Sequence, residues 1–154
     1  MSLVADRLAD LSRLDASLIE AAQPDHALFV DIILSSYPRL AAPKSDHAAR
    51  LHRLLEAGAW TDAALELLAL ELPGWIVRRL ACEEGKWHCS LSRHADLPIE
   101  MDDCIDAVHD VLPLAILRAF IEARLAAAAT GMIETSVPRL APMPELSMCC
   151  ENFA

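Results

Sequence analysis

A chain of 154 residues with 55% hydrophobic residues is long enough for one ordinary domain with its own core. Its formal charge of −10 argues against a surface built for nucleic-acid phosphates or an anionic membrane, since both rest on clustered Lys and Arg. Ala and Leu dominate while aromatics reach only 5%, which points to a mainly helical protein.

The first predicted element, "SLVADRLADLSRLDASLIEAA", places Val4, Leu8, Leu11, Leu18 and Ala22 at alternating spacings of about four and three, a helical stripe. Leu14 and Ile19 flank it and Asp15 interrupts it. Such a stripe packs on its own domain or on a second chain, so Val4, Leu8, Leu11 and Leu18 are the candidate dimer helix. The same opening has no basic stretch followed by an unbroken apolar run, so no signal peptide is expected.

A second helix is predicted over 24–36, "PDHALFVDIILSS", with Pro24 at its first position, where a missing N–H costs nothing. The run "YPRLAAPKS" then breaks the chain. A third helix, "DHAARLHRLLEA", should be capped by Ser45 and ended by Gly58 in a left-handed conformation. Residues 1–58 thus form a helical N-terminal extension, packed on the core or on a partner chain.

The next unit spans residues 59–130. Thr61 is the predicted cap of "DAALELLALEL", with Trp60 stapled onto Leu65, and Pro73-Gly74 ends that helix. The period then changes from 3.6 to 2. "WIVRRLAC" and "KWHCSLSR" flank Glu84-Gly85, a hairpin turn. The predicted register pairs Cys82 with Trp87, Leu80 with Cys89 and Arg78 with Leu91. One face then carries Ile76, Leu80, Cys82, Trp87, Cys89 and Leu91. The other carries Arg79, His88, Ser90 and Ser92.

That register removes most chemistry from "CEEGKWHCSLSRH". His88 and Cys89 point to opposite faces, whereas zinc needs about four converging ligands. Cys82 and Cys89 lie diagonally, beyond unstrained disulfide reach. Trp75, Arg78, Arg79, Lys86 and Arg93 gather aromatic and scarce positive side chains, a candidate interaction patch whose alternative is a solvated strand face with core tryptophans.

"LPIEMDDCIDAVHDVLP" follows. As a helix it would bring Asp102 or Asp103, Asp106, His109 and Asp110 onto one face, a candidate metal or acid–base cluster. The expected arrangement is an acidic loop, which places negative charge before a helix N-terminus. Pro113 favours that loop, since proline suits a first turn and breaks a helix interior. The last helix is predicted from about Leu112 to Thr130, burying Leu114, Leu117, Phe120, Ile121 and Leu125, and ending at Gly131.

The pieces "DAALELLALELPGWIVRRL", "GKWHCSLSR" and "AVHDVLPLAILRAFIEAR" together resemble the phage ABA-sandwich domain, a family of small bacterial and phage proteins. The resemblance covers roughly residues 60–128. It implies an αββα order and carries over no catalytic residue. The tail over 131–154 is Pro-rich and ends near Cys149-Cys150. Five cysteines without C-x-x-C spacing fit reduced thiols and a cytoplasmic location.

The expected fold is therefore α+β and mainly helical: a small αββα sandwich with a two-stranded antiparallel hairpin and an N-terminal helical extension. The expected function is a non-enzymatic, self-associating interaction or accessory module. It would form a homodimer and bind an unknown protein partner, with no cofactor. The rival is a small metal-dependent enzyme using the Asp102–Asp110 segment.

Overall fold

The structure is a computed structural model that describes residues 2–35 and 46–134. Helices α1 (Ser2–Glu20), α2 (His26–Ser35), α3 (Asp46–Glu56) and α4 (Trp60–Glu71) precede strands β1 (Ile76–Glu83) and β2 (Lys86–Ser92). A short 3-10 turn at Ile99–Met101 leads to β3 (Ile105–His109) and then to α5 (Leu112–Glu134). The fold is α+β and mainly helical.

The helix at the centre is α5. Leu114, Ala115, Ile116, Leu117, Ala119, Phe120, Ile121 and Ala123 are all fully buried, so its apolar surface runs around the whole girth. A helix of that kind needs cover on every side. It lies across β2 and β3 on one side and takes α1 and α4 on the others. Leu125, the fifth predicted core position, is partly buried.

Leu11, Leu14 and Leu18 of α1 join the same core as Phe29, Leu51, Leu67 and Phe120. The N-terminal helices are thus part of the domain's own packing, the first of the two arrangements the sequence allows. Gly58 takes φ +67 and closes α3 with the two expected bonds, Ala59 N–H to the Leu54 carbonyl at 2.9 Å and Gly58 N–H to the Leu55 carbonyl at 3.2 Å. Ser45 lies outside the described residues.

Three helix boundaries differ from expectation. Helix α2 starts at His26, because the Asp25 carboxylate accepts the Leu28 N–H at 2.8 Å and caps it, leaving Pro24 outside. Helix α4 starts at Trp60 behind Ala59, without a side-chain cap, so Thr61 does not cap it. Trp60 stacks on Phe29, with ring centroids 5.6 Å apart. Helix α5 runs through Gly131 to Glu134, since helix propensity over the Ala-rich run outweighs one glycine.

The sheet corrects the predicted two-stranded hairpin. It has three antiparallel strands in the order β1-β2-β3. The second half of the acidic segment supplies the third strand, where Ile105, Ala107 and His109 alternate onto the α5 side, while the part before it, with Asp102 and Asp103, is a loop as expected. A third strand with a helix on it gives the hairpin the support that it lacks alone. Among the described residues the helical cover is likewise one-sided rather than a sandwich of the hairpin, since α5 packs on β2 and β3 while the opposite face carries Arg79, Glu83, His88 and Asp106. No helix among the described residues is long and apolar enough to cross a membrane.

Candidate functional site

Glu84 and Gly85 both take positive φ, 52° and 79°, which makes the turn type I′ as a two-residue hairpin requires. Cys82 pairs with Trp87 and Leu80 with Cys89 as predicted. Beyond them the register shifts. Arg78 occupies a bulge, so Leu91 faces Val77 rather than Arg78, and Ile76 faces Ser92 on the other side. Cys89 is buried, and its thiol is pushed up to about 11, by burial first and by nearby Asp106 second. A thiol held protonated in this way is no nucleophile at neutral pH.

The bulge aims Arg78 at the loop before β3. Its guanidinium pairs with the Asp102 carboxylate and donates to the carbonyls of Leu97 at 2.6 Å and His94 at 3.4 Å. Ser92 Oγ–H and Cys104 Sγ–H, the latter at 3.2 Å, donate to the same Asp102 oxygen. The Asp102 side chain is only 1% exposed. Its carboxyl is held below the ordinary 3.8, chiefly by the Ser92 hydrogen bond and then by Cys104 and Arg78, against the opposing effect of burial. Cys104 is pushed the other way, by burial and by the Asp102 carboxylate.

A carboxyl depressed on folding stabilises the fold at pH above its unfolded value, and that contribution disappears as pH falls through the lower folded value. Chemical denaturation at pH values descending from 3.8 should therefore show a steeper loss of stability in the wild type than in Asp102→Asn. Parallel curves would remove Asp102 from the acid response.

The candidate metal residues are separated. Asp102 is committed to Arg78. Asp106 accepts from Ser90 on the sheet face away from α5, whereas His109 lies on the other face. The His109 Nδ1 accepts the Val111 N–H at 3.0 Å, and Nε2 donates to the Leu18 carbonyl at 3.0 Å, so both nitrogens are engaged. Asp110 is exposed, 4.0 Å from Lys86, and Asp103 lies beside Trp75 and Arg93. Among the described residues, no three His, Cys, Asp or Glu side chains converge as a metal site requires.

The predicted patch is divided too. Arg78 is internal to the loop network. Arg93 stacks over Trp75, 4.8 Å from the ring centre, at the far end of β1 from Lys86. Arg79 pairs with Glu83 along the exposed strand. The more informative feature is one that the charge pattern does not reveal, the two edges of the sheet.

In a two-residue hairpin the pair next to the turn is hydrogen-bonded, and such pairs alternate with unbonded ones. Glu83, Ala81 and Arg79 therefore bond to β2, and Leu80 and Cys82 point their N–H and C=O groups outward. By the same alternation Val108 of β3 points outward at the opposite edge. There the Arg118 guanidinium donates to the Val108 carbonyl at 2.7 Å and is braced by Asp15 at 3.2 Å. A charged side chain thus occupies the β3 edge. Among the described residues no backbone hydrogen bond reaches the outer edge of β1. Leu80 is 37% exposed and Cys82 is exposed, because α5 stops short of β1.

Comparison of the chain with protein-family models, with curated proteins and with solved structures gives no match in any of the three.

Proposed function

We propose that this chain is a non-enzymatic, self-associating interaction module acting in the cytoplasm, and that the outer edge of β1 is its association surface. The observation that carries this reading is the pairing of an open edge with exposed apolar side chains, Leu80 and Cys82, while Arg118 blocks the opposite edge. Unpaired edges are templates for another strand unless charge, proline or cover blunts them. A further protein partner would add to the same edge or to the end where exposed Arg93 covers the half-buried Trp75.

Light scattering at micromolar concentration is expected to give twice the chain mass. Leu80→Lys, a charge placed on the exposed edge, should return the protein to a monomer with an unchanged circular dichroism spectrum. A wild-type monomer at that concentration would overturn the reading. Metal retained stoichiometrically through chelator-free purification would favour the metal-dependent enzyme instead.

A further inference from the structure

We infer that the occupant of the β1 edge is β1 of a second copy, running antiparallel in a register centred on Ala81, so that two sheets join into one of six strands. This rests on the reading of β1 as the association edge and adds the partner and its register.

A two-fold axis beside one residue of β1 fixes every opposing pair, and five centres are available between Arg79 and Glu83. Centring on Arg79 sets Arg79 against itself, and centring on Glu83 does the same for Glu83. Like charges directly opposed destabilise a ladder. Centring on Leu80 runs the pairing through the Arg78 bulge, where the backbone alternation is interrupted. Centring on Cys82 leaves only 81–83 paired before the turn begins.

Centring on Ala81 has none of these faults. It opposes Arg79 to Glu83 and Glu83 to Arg79, two complementary charge pairs on the exposed face. Those side chains are about half exposed and already pair within the chain, so they are within reach of the edge. On the other face it opposes Leu80 to Cys82 and Cys82 to Leu80, covering the apolar positions that α5 leaves bare. It also fits the backbone. Leu80 and Cys82 are the residues with outward N–H and C=O groups, and opposing them makes two hydrogen-bonded pairs, each exchanging two bonds.

The register sets the outcome of cross-linking. Native Cys82 and its copy lie diagonally, about 7–8 Å apart at Cα, outside unstrained disulfide reach of about 6.8 Å. Leu80→Cys places a thiol directly opposite Cys82 of the second copy, about 5.5 Å away. Mild oxidation of the Leu80→Cys full chain should therefore give a covalent dimer whose peptide map shows a link between positions 80 and 82. The wild type under the same oxidant should show no Cys82–Cys82 link. Independently, Arg79→Glu should weaken the dimer about tenfold, and Arg79→Glu combined with Glu83→Arg should restore it.

A dimer that links Cys82 to Cys82, or lacks the 80–82 link, overturns the register and leaves edge association standing. So does a double reversal that fails to restore the dimer. A wild-type monomer in light scattering overturns both.

Discussion

Changing Leu11 and Leu18 together to Glu is expected to unfold the protein, not to release a folded monomer. The sequence presents these residues as part of an apolar stripe that a second chain could cover. In the fold α1 packs on α5 and both residues join the common core, with Leu18 fully buried and Leu11 nearly so. Truncating a buried Leu costs about 2–5 kcal/mol. Placing an unpaired carboxylate in the same apolar site adds a further penalty. Two such changes exceed about 5 kcal/mol, against a total stability of about 5–15 kcal/mol for a domain. Val4→Glu is the control, because Val4 is 50% exposed and surface changes usually stay within about 0.5 kcal/mol. Circular dichroism with a urea titration checks both. A double variant that keeps a cooperative transition and sediments as a folded monomer would place α1 at an interface after all.

That contrast marks the limit of what a periodic pattern conveys. The stripe in α1 identifies an apolar face, but apolar spacing is the same whether the cover is α5 or another molecule. The strands β1 and β2 were legible because a period of 2 meets a Glu-Gly turn, and the register near that turn follows from its two-residue length. Further along, Arg78 leaves the ladder because its carboxylate partner, Asp102, is 24 residues away in a loop that carries no regular signal. β3 was illegible for a related reason. It is only five residues long and includes Asp106, and Asp is depleted in strands, so its Ile105, Ala107 and His109 alternation is masked by flanking charge. The open edge depends on knowing β3. Once the acidic segment joins the sheet, Arg118 is seen to take the outward Val108 carbonyl on one side, and β1 is left as the open edge among the described residues.

Removing Arg124 is expected to cost about 3–5 kcal/mol, because it would take the guanidinium paired with the buried Glu71 carboxylate out of the α4–α5 contact. Glu71 ends α4 with its side chain 1% exposed, and its Oε2 lies 3.3 Å from Arg124 Nη1 on α5. The guanidinium also sits over the Phe120 ring, 5.7 Å from its centre. The pair therefore fixes the end of α4 to α5 just before Leu72, Pro73 and Gly74 turn the chain into β1. Its value lies in position more than in net energy. A buried ion pair recovers little beyond its desolvation cost, so an apolar pair of similar volume can replace it. Arg124→Ala and Glu71→Ala should each be strongly destabilising in urea. Glu71→Leu combined with Arg124→Met should lie within about 1 kcal/mol of the wild type, a coupling well above the few tenths expected of independent sites. The double variant should also leave the proposed β1-edge association unchanged, since Glu71 and Arg124 lie on α4 and α5. If Arg124→Ala alone cost less than about 1 kcal/mol, the anchor of α4 would have to be sought in the apolar contacts of Leu67, Leu68 and Leu72 instead.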